Sequence, residues 1–189
     1  MDYMDYKFKK SVCERYDIKF NNGWGWAIIT IDENGGIFNC QSDYGNYAYS
    51  WPNHGRKSFK HFILELARDT HYLLKKVANE DYFDYWKQKK HWKKVIAKAR
   101  KDNECTKEQA RDAWEFLDRL DSYEHSPQII QEKLYTSDEI GAIAGSEPWY
   151  MFDTEMDYSP SAKAFAKKIM PMFAEIIKQE IEKVSQVTA

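Results

Sequence analysis

Residues 24–51, WGWAIITIDENGGIFNCQSDYGNYAYSW, constrain the fold more than any other stretch of the chain. Runs rich in Ile, Phe, Tyr and Trp flank ENGG and SDYGN, and Asn-Gly between such runs is the strongest short-range hairpin signal. Three strands joined by two tight turns are therefore predicted. Asn34 and Gly35 suit the two left-handed positions of a type I′ turn, and Gly45 offers the same freedom in the second turn. Side chains alternate across a strand, so Trp24, Trp26, Ile28 and Thr30 share one face, with Gly25, Ala27, Ile29 and Ile31 on the other. Tyr47, Tyr49 and Trp51 lie together, opposite Ala48 and Ser50. One aromatic sheet face and one small, aliphatic face are the expectation. Upstream, partial alternation over residues 6–20 predicts one or two edge strands, with Lys9 and Lys10 discouraging edge-to-edge pairing. Asn21, Asn22 and Gly23 supply the turn that follows.

Beyond Trp51 the hydrophobic period changes from two to about 3.6 residues. Phe59, Phe62, Ile63, Leu66 and Ala67 recur at helical spacing. Asp69 or Thr70 caps a second helix with Leu73, Leu74 and Val77 inside. After a break at Asn79, residues 80–101 read as a third, longer helix. Thr106 opens a fourth, with a capping-box spacing to Gln109 and a stripe of Ala110, Ala113, Trp114, Leu117 and Leu120. A short helical turn follows Ser126 and Pro127, then a less regular stretch over 136–158. The run Asp157-Tyr158-Ser159-Pro160 starts the last helix, in which Phe165, Ile169, Met172, Phe173, Ile176, Ile177 and Ile181 make the buried stripe. Pro171 is predicted to kink or divide it near Met170, and the tail from Ser185 to fray. The fold class is α+β: an N-terminal antiparallel β-meander of three to five strands, then five or six helices. At 189 residues this suits a single domain, with the sheet over residues 1–56, a helical region over 57–135 and a closing segment over 136–189.

Composition removes several function classes. No run approaches the ~18 apolar residues of a membrane span, and the start of the chain carries no signal-peptide pattern. Cys13, Cys40 and Cys105 are odd in number and lack a C-x-x-C, which fits free thiols in a reducing cytosol rather than a disulfide framework. Aromatic residues reach 16%, enough for a core built from rings and for rings left over to meet a partner.

The net charge of −2 hides a segregation. Residues 57–101 hold thirteen Lys/Arg against five Asp/Glu, or +8, while residues 102–158 hold four against fifteen, or −11. Lys87, Lys90, Lys94, Lys98 and Lys101 recur three and four apart and form one stripe along a helix. With Trp86, His91 and Trp92 available to stack on bases, that stripe suits a phosphate backbone. The competing reading is neutralisation across a helical hairpin by Glu104, Glu108, Asp112, Glu115, Asp118 and Asp121. An acidic surface imitating nucleic acid, over 102–124 and 138–157, is a third.

Phosphate-loop, dinucleotide, zinc-protease and serine-hydrolase signatures are absent. The five histidines never pair at a metal-ligand spacing, so no metal and no cofactor is implied. One local cluster has chemical potential: Trp51, His54 and Arg56 at the junction of sheet and helix. A helix N-terminus there can hold an anion, and His54 can move a proton near neutral pH. The structural alternative is a loop closed by Pro52 and Gly55 with Arg56 solvated.

The run Gly45-Asn46-Tyr47-Ala48-Tyr49-Ser50-Trp51, followed by the helix opening Phe59-Lys60-His61-Phe62-Ile63, resembles small proteins of unknown activity encoded by bacteriophages and prophages. The late segment YSPSAKAFAKKIMP is similar to the closing helix of that group. The resemblance implies a phage or mobile-element accessory protein expressed in a bacterial cytoplasm, of a kind that often antagonises host machinery by binding it, as anti-CRISPR proteins do. It transfers no catalytic residue.

Three functions follow. The first is a non-enzymatic binder of a host or phage nucleoprotein or defence complex, an anti-CRISPR-type inhibitor. The second is direct binding of nucleic acid through Lys87, Lys90, Trp92, Lys94, Lys98 and Lys101. The third is a phosphate-directed hydrolase centred on His54 and Arg56. Oligomeric state is open.

Overall fold

The computed structural model describes residues 7–21, 25–120 and 126–187. Asn22, Gly23, Trp24, Asp121, Glu124 and His125, on which some of the turn, first-strand and acidic-helix readings rest, lie outside these, as do residues 1–6, 188 and 189. The chain forms two compact units: residues up to Asn79 together with those from Tyr158 onward, and Glu80–Asp157.

The first unit carries a four-stranded antiparallel meander in the order β1–β2–β3–β4: β1 Glu14–Lys19, β2 Trp26–Asp32, β3 Ile37–Ser42 and β4 Gly45–Ser50. The fold class is α+β, and the 6–20 segment contributes one strand. The register sets Ile29 opposite Tyr16 and Cys40, with Cys40 opposite Tyr47, while Ile31 pairs with Phe38 and Phe38 with Tyr49. The aliphatic side of β2 and the aromatic side of β4 therefore share one face. This corrects the expectation of separate aromatic and aliphatic faces, because strand-to-strand register decides which alternating set meets which. That common face is the buried one. Ala27, Ile29, Ile31, Phe38 and Cys40 are fully enclosed, and each large member contributes roughly 1.5–3 kcal/mol by leaving water.

The turns also differ from the sequence reading. Asn34 and Gly35 keep negative φ, and Gly36 is the residue at +62°. A four-residue loop replaces the type I′ pair, because the Asp32 carboxylate takes the Asn34 and Gly35 N–H groups at 3.0 and 3.1 Å. Gly36 admits no side chain: an added Cβ would lie 2.1 Å from the Trp51 carbonyl oxygen. In the second turn Asp43 and Tyr44 form the loop, and Gly45 opens β4 at φ +115°.

Three helices cover the buried face. They are α1 Phe59–Leu66, α2 Thr70–Val77, whose cap Asp69 accepts from Tyr72 N–H, and α7 over 160–187. Phe165 of α7 stacks on Tyr47 at 4.0 Å between ring centroids, and Phe173 meets Tyr16 edge-on at 5.1 Å. Pro171 does not divide α7. The segment Phe165–Ile169 is π-helical, and Met170 N–H donates to Phe165 O five residues back. The wider turn just before Pro171 accommodates the missing N–H and the ring that would crowd the carbonyl of residue 167. α7 stays helical through Ser185 to Val187.

The second unit is helical: α3 Tyr85–Lys101, α4 Lys107–Arg119, α5 Pro127–Thr136 and α6 Asp138–Ala144, with a 3₁₀ turn at Pro148–Tyr150. Residues 80–84 do not belong to α3. Tyr82 and Asp157 exchange backbone hydrogen bonds at 2.9 Å in each direction, and Asp84 caps the helix by accepting from Lys87 N–H. The capping box of Thr106 and Gln109 forms in full. The stretch 136–158, expected to be irregular, holds α6, started by the Ser137 hydroxyl accepting from Ile140 N–H. Trp92, Ile96, Ala113, Leu117, Ile130, Leu134, Ile140 and Phe152 form this unit's core.

Candidate functional site

The α3 helix is two-sided because its apolar and basic residues recur with the same period on opposite faces. Tyr85, Gln88, Trp92, Ile96 and Ala99 point inward. The Tyr85 hydroxyl donates to Leu120 O at 2.8 Å, and the Trp92 indole N–H donates to Asp153 O at 2.9 Å. Trp92 is fully buried. It was expected to offer its ring to a base, but its place four residues from both Gln88 and Ile96 puts it on the inner face and makes it a core anchor.

Lys87, Lys90, Lys94, Lys98 and Lys101 are all exposed, as is His91. Lys87 approaches Asp157 at 3.6 Å. Lys90, Lys94, Lys98 and Lys101 have no ion pair among the described residues. Neutralisation from α4 is confined to one carboxylate. Asp118 holds Lys93 at 2.6 Å and Lys89 at 3.6 Å, and the hydrogen bond from Lys93 keeps its carboxyl below the ordinary range. Elsewhere on α4, Asp112 and Glu115 face Arg111 of the same helix at 3.8 and 3.9 Å.

Between α3 and α4 lies a groove of about 440 Å³. Trp86 and Trp114 stand on it, 64% and 40% exposed. The Lys93 ammonium lies 4.6 Å from the Trp114 ring centre, and that of Lys89 lies 5.9 Å from Trp86. Lys90 and Lys94 line the rim. Chemically the groove offers cations and two exposed indoles, each with an ammonium over its ring. Trp114 was read from the sequence as a member of the inner stripe of α4. Ala113, Leu117 and Leu120 carry that stripe, and Trp114 lies on the flank with Asp118, four residues on.

The other sequence-nominated cluster assembles differently. Trp51 is buried, and its indole N–H donates to the Tyr72 hydroxyl at 3.1 Å. Arg56 is engaged by Glu65, with both Nε and an Nη atom within 2.8 Å of the carboxylate. The His54 ring packs beside Phe59 and Phe62, and its Nδ1 accepts from Arg56 N–H at 3.3 Å. The N-terminus of α1 already holds an anion from the chain itself. The Glu33 carboxylate accepts from Phe59 N–H at 3.0 Å and Lys60 N–H at 3.2 Å. The anion site expected here is thus filled by a turn residue 26 positions upstream of Phe59, which sequence spacing does not reveal.

A further ionic group was not foreseen. The Lys60 ammonium lies 2.7 Å from Glu14 and 3.0 Å from Glu180, and the Tyr16 hydroxyl donates to the same two carboxylates. Burial alone would push the Lys60 ammonium down, but its bonds to Glu14 and Glu180 prevail and raise it.

No helix among the described residues is long and apolar enough to cross a membrane. No curated protein and no solved structure matches the chain. A phage protein family, Phage_phiTE_072, matches residues 6–179, a span that takes in both the meander and the α3–α4 groove. The chain therefore belongs to this phage family.

Proposed function

We propose that this phage protein binds nucleic acid through the exposed lysine face of α3 and the groove beside it. One observation carries the reading: Lys90, Lys94, Lys98 and Lys101 lie on a single stripe with no carboxylate partner among the described residues. Charges that stabilise a fold are met by opposite charges, as Lys60 is. A row left without partners is a footprint for an external polyanion. From Lys87 to Lys101 the stripe extends about 21 Å at 1.5 Å per residue, enough to follow several phosphates. Neutralising each phosphate releases condensed counterions, which supplies the binding free energy.

The test is a Lys90→Glu/Lys94→Glu/Lys98→Glu variant, titrated against a labelled oligonucleotide at low salt. Binding is expected to fall at least about a hundredfold, since three attractive contacts become repulsive. Unchanged affinity in a folded variant would end this reading.

A second reading has the phage family behind it. Proteins that phages carry beside their structural genes often act on host defence, and the polyanion would then be the nucleic acid of a host nucleoprotein, a CRISPR effector complex among them. Its support is context alone. The phosphate-directed hydrolase has less, because Arg56 is committed to Glu65 and His54 to two phenyl rings.

A further inference from the structure

We infer that the α3–α4 groove takes unpaired nucleobases, so that the occupant is single-stranded nucleic acid; this rests on the nucleic-acid reading above and deepens it. The lysine stripe alone would suit a duplex equally well, since phosphates are common to both. The two tryptophans are what discriminate. In a duplex the bases are stacked on one another and closed to a side chain, whereas in a single strand each base has a free π-face.

Trp86 and Trp114 keep 64% and 40% of their surface in water, while Trp51 and Trp92 are buried and satisfied. Each of these two indoles has an ammonium over one face, Lys89 on Trp86 and Lys93 on Trp114, which leaves the opposite face for a base. Asp118 holds both ammoniums at the groove. A nucleotide has the matching pair of features, a flat ring and an anion one sugar away. Trp86, Lys90 and Lys94 are spaced by four residues and share a flank of α3. A strand whose base stacks on Trp86 would run its next phosphates past Lys90 and Lys94. An acidic peptide would satisfy the lysines but has no use for two indoles.

Fluorescence anisotropy at low salt tests this with end-labelled thymidine and uridine oligomers of about 15 nucleotides, a duplex of the same length and a glutamate-rich peptide. The proteins are the wild type, Trp86→Ala, Trp114→Ala and the ring-retaining Trp114→Phe, each checked for an unchanged melting curve. Expected results are single strands of either sugar preferred over duplex, a loss of about fivefold or more for each Ala variant on single strands, no loss on duplex, and near-complete retention by Trp114→Phe. Equal affinity for duplex and single strand with no effect of either Ala variant would overturn the single-strand inference and leave the lysine stripe standing. Absence of binding to every oligomer would overturn both. Peptide binding as tight as the oligomers, with the same dependence on the tryptophans, would assign the groove to an acidic protein segment instead.

Discussion

Two sets of cations, one in each unit, are treated in opposite ways. In the sheet unit, Lys60 is gripped by Glu14, Glu180 and Tyr16, and Arg56 by Glu65. In the helical unit, one carboxylate serves Lys89 and Lys93, and four lysines of the same helix have none among the described residues. The first arrangement ties β1, α1 and α7 together. The second leaves a field directed at solvent. Lys60 and Arg56 tie elements of the fold together, while Lys90, Lys94, Lys98 and Lys101 have no ion pair among the described residues.

The largest expected stability effect sets the scale for a structural lesion in the sheet unit and involves no charge. Gly36→Ala places a Cβ 2.1 Å from Trp51 O at φ +62°, and should cost about 2–4 kcal/mol by strain at a special backbone position. A denaturant midpoint unchanged from wild type would show that the hairpin loop relaxes freely. Lys60→Met comes next. It strands two carboxylates beside each other, but Glu14 and Glu180 stay 45% and 39% exposed, so solvent limits the loss to about 1 kcal/mol. The Lys90/Lys94/Lys98→Glu variant should lose binding while its stability moves by less than about 0.5 kcal/mol, as surface changes do. If it destabilised more than Lys60→Met, the contrast between the units would collapse. Asp118→Asn is the smallest change in stability, and the most pointed one for binding. Releasing Lys89 and Lys93 should raise oligonucleotide affinity a few-fold, the scale of one added phosphate contact.

Acid tests the paired carboxylates by another route. Burial opposes ionisation of Glu14, but hydrogen bonds from Lys60 and Tyr16 prevail and hold its carboxyl below the ordinary 4.5. The Gly35 N–H and the Ser11 hydroxyl do the same for Asp32, below 3.8. A carboxyl lowered on folding stabilises the native state fully above its unfolded value, and that stability is lost as pH falls through the folded value. Thermal stability should therefore drop as pH descends below about 4.5. Glu14→Gln should flatten the drop, and Asp118→Asn should flatten it less, because the Lys93 hydrogen bond lowers that carboxyl too but Asp118 itself is about half exposed.

The elements were legible in the sequence wherever a local signal specified them. The Asn-Gly and Tyr-Gly turns, the Thr106–Gln109 box and the alternation of β2 all act over a few residues, and all lie where they were expected. Most of what failed was long-range, and one failure, the type of the first turn, was local. The register that brings Ile31 to Phe38 to Tyr49 merged two faces that alternation had kept apart. Tyr82 found Asp157 and shortened α3. Asp32 reached into its own loop and changed the turn type. At the site, the lysine stripe followed from periodicity alone. The identity of the exposed rings did not, because Trp92 and Trp114 both fall near an apolar stripe and only packing decides which turns outward. The Glu33 cap on α1 has no sequence signal at all.

The proposal that Lys90, Lys94, Lys98 and Lys101 are a polyanion footprint is tested most directly by the salt dependence of oligonucleotide binding to the wild-type protein. With four lysines that have no ion pair among the described residues, log K against log salt should fall linearly with a slope of about −3 to −4. Binding that did not weaken as salt rose, or no binding at low salt, would contradict it.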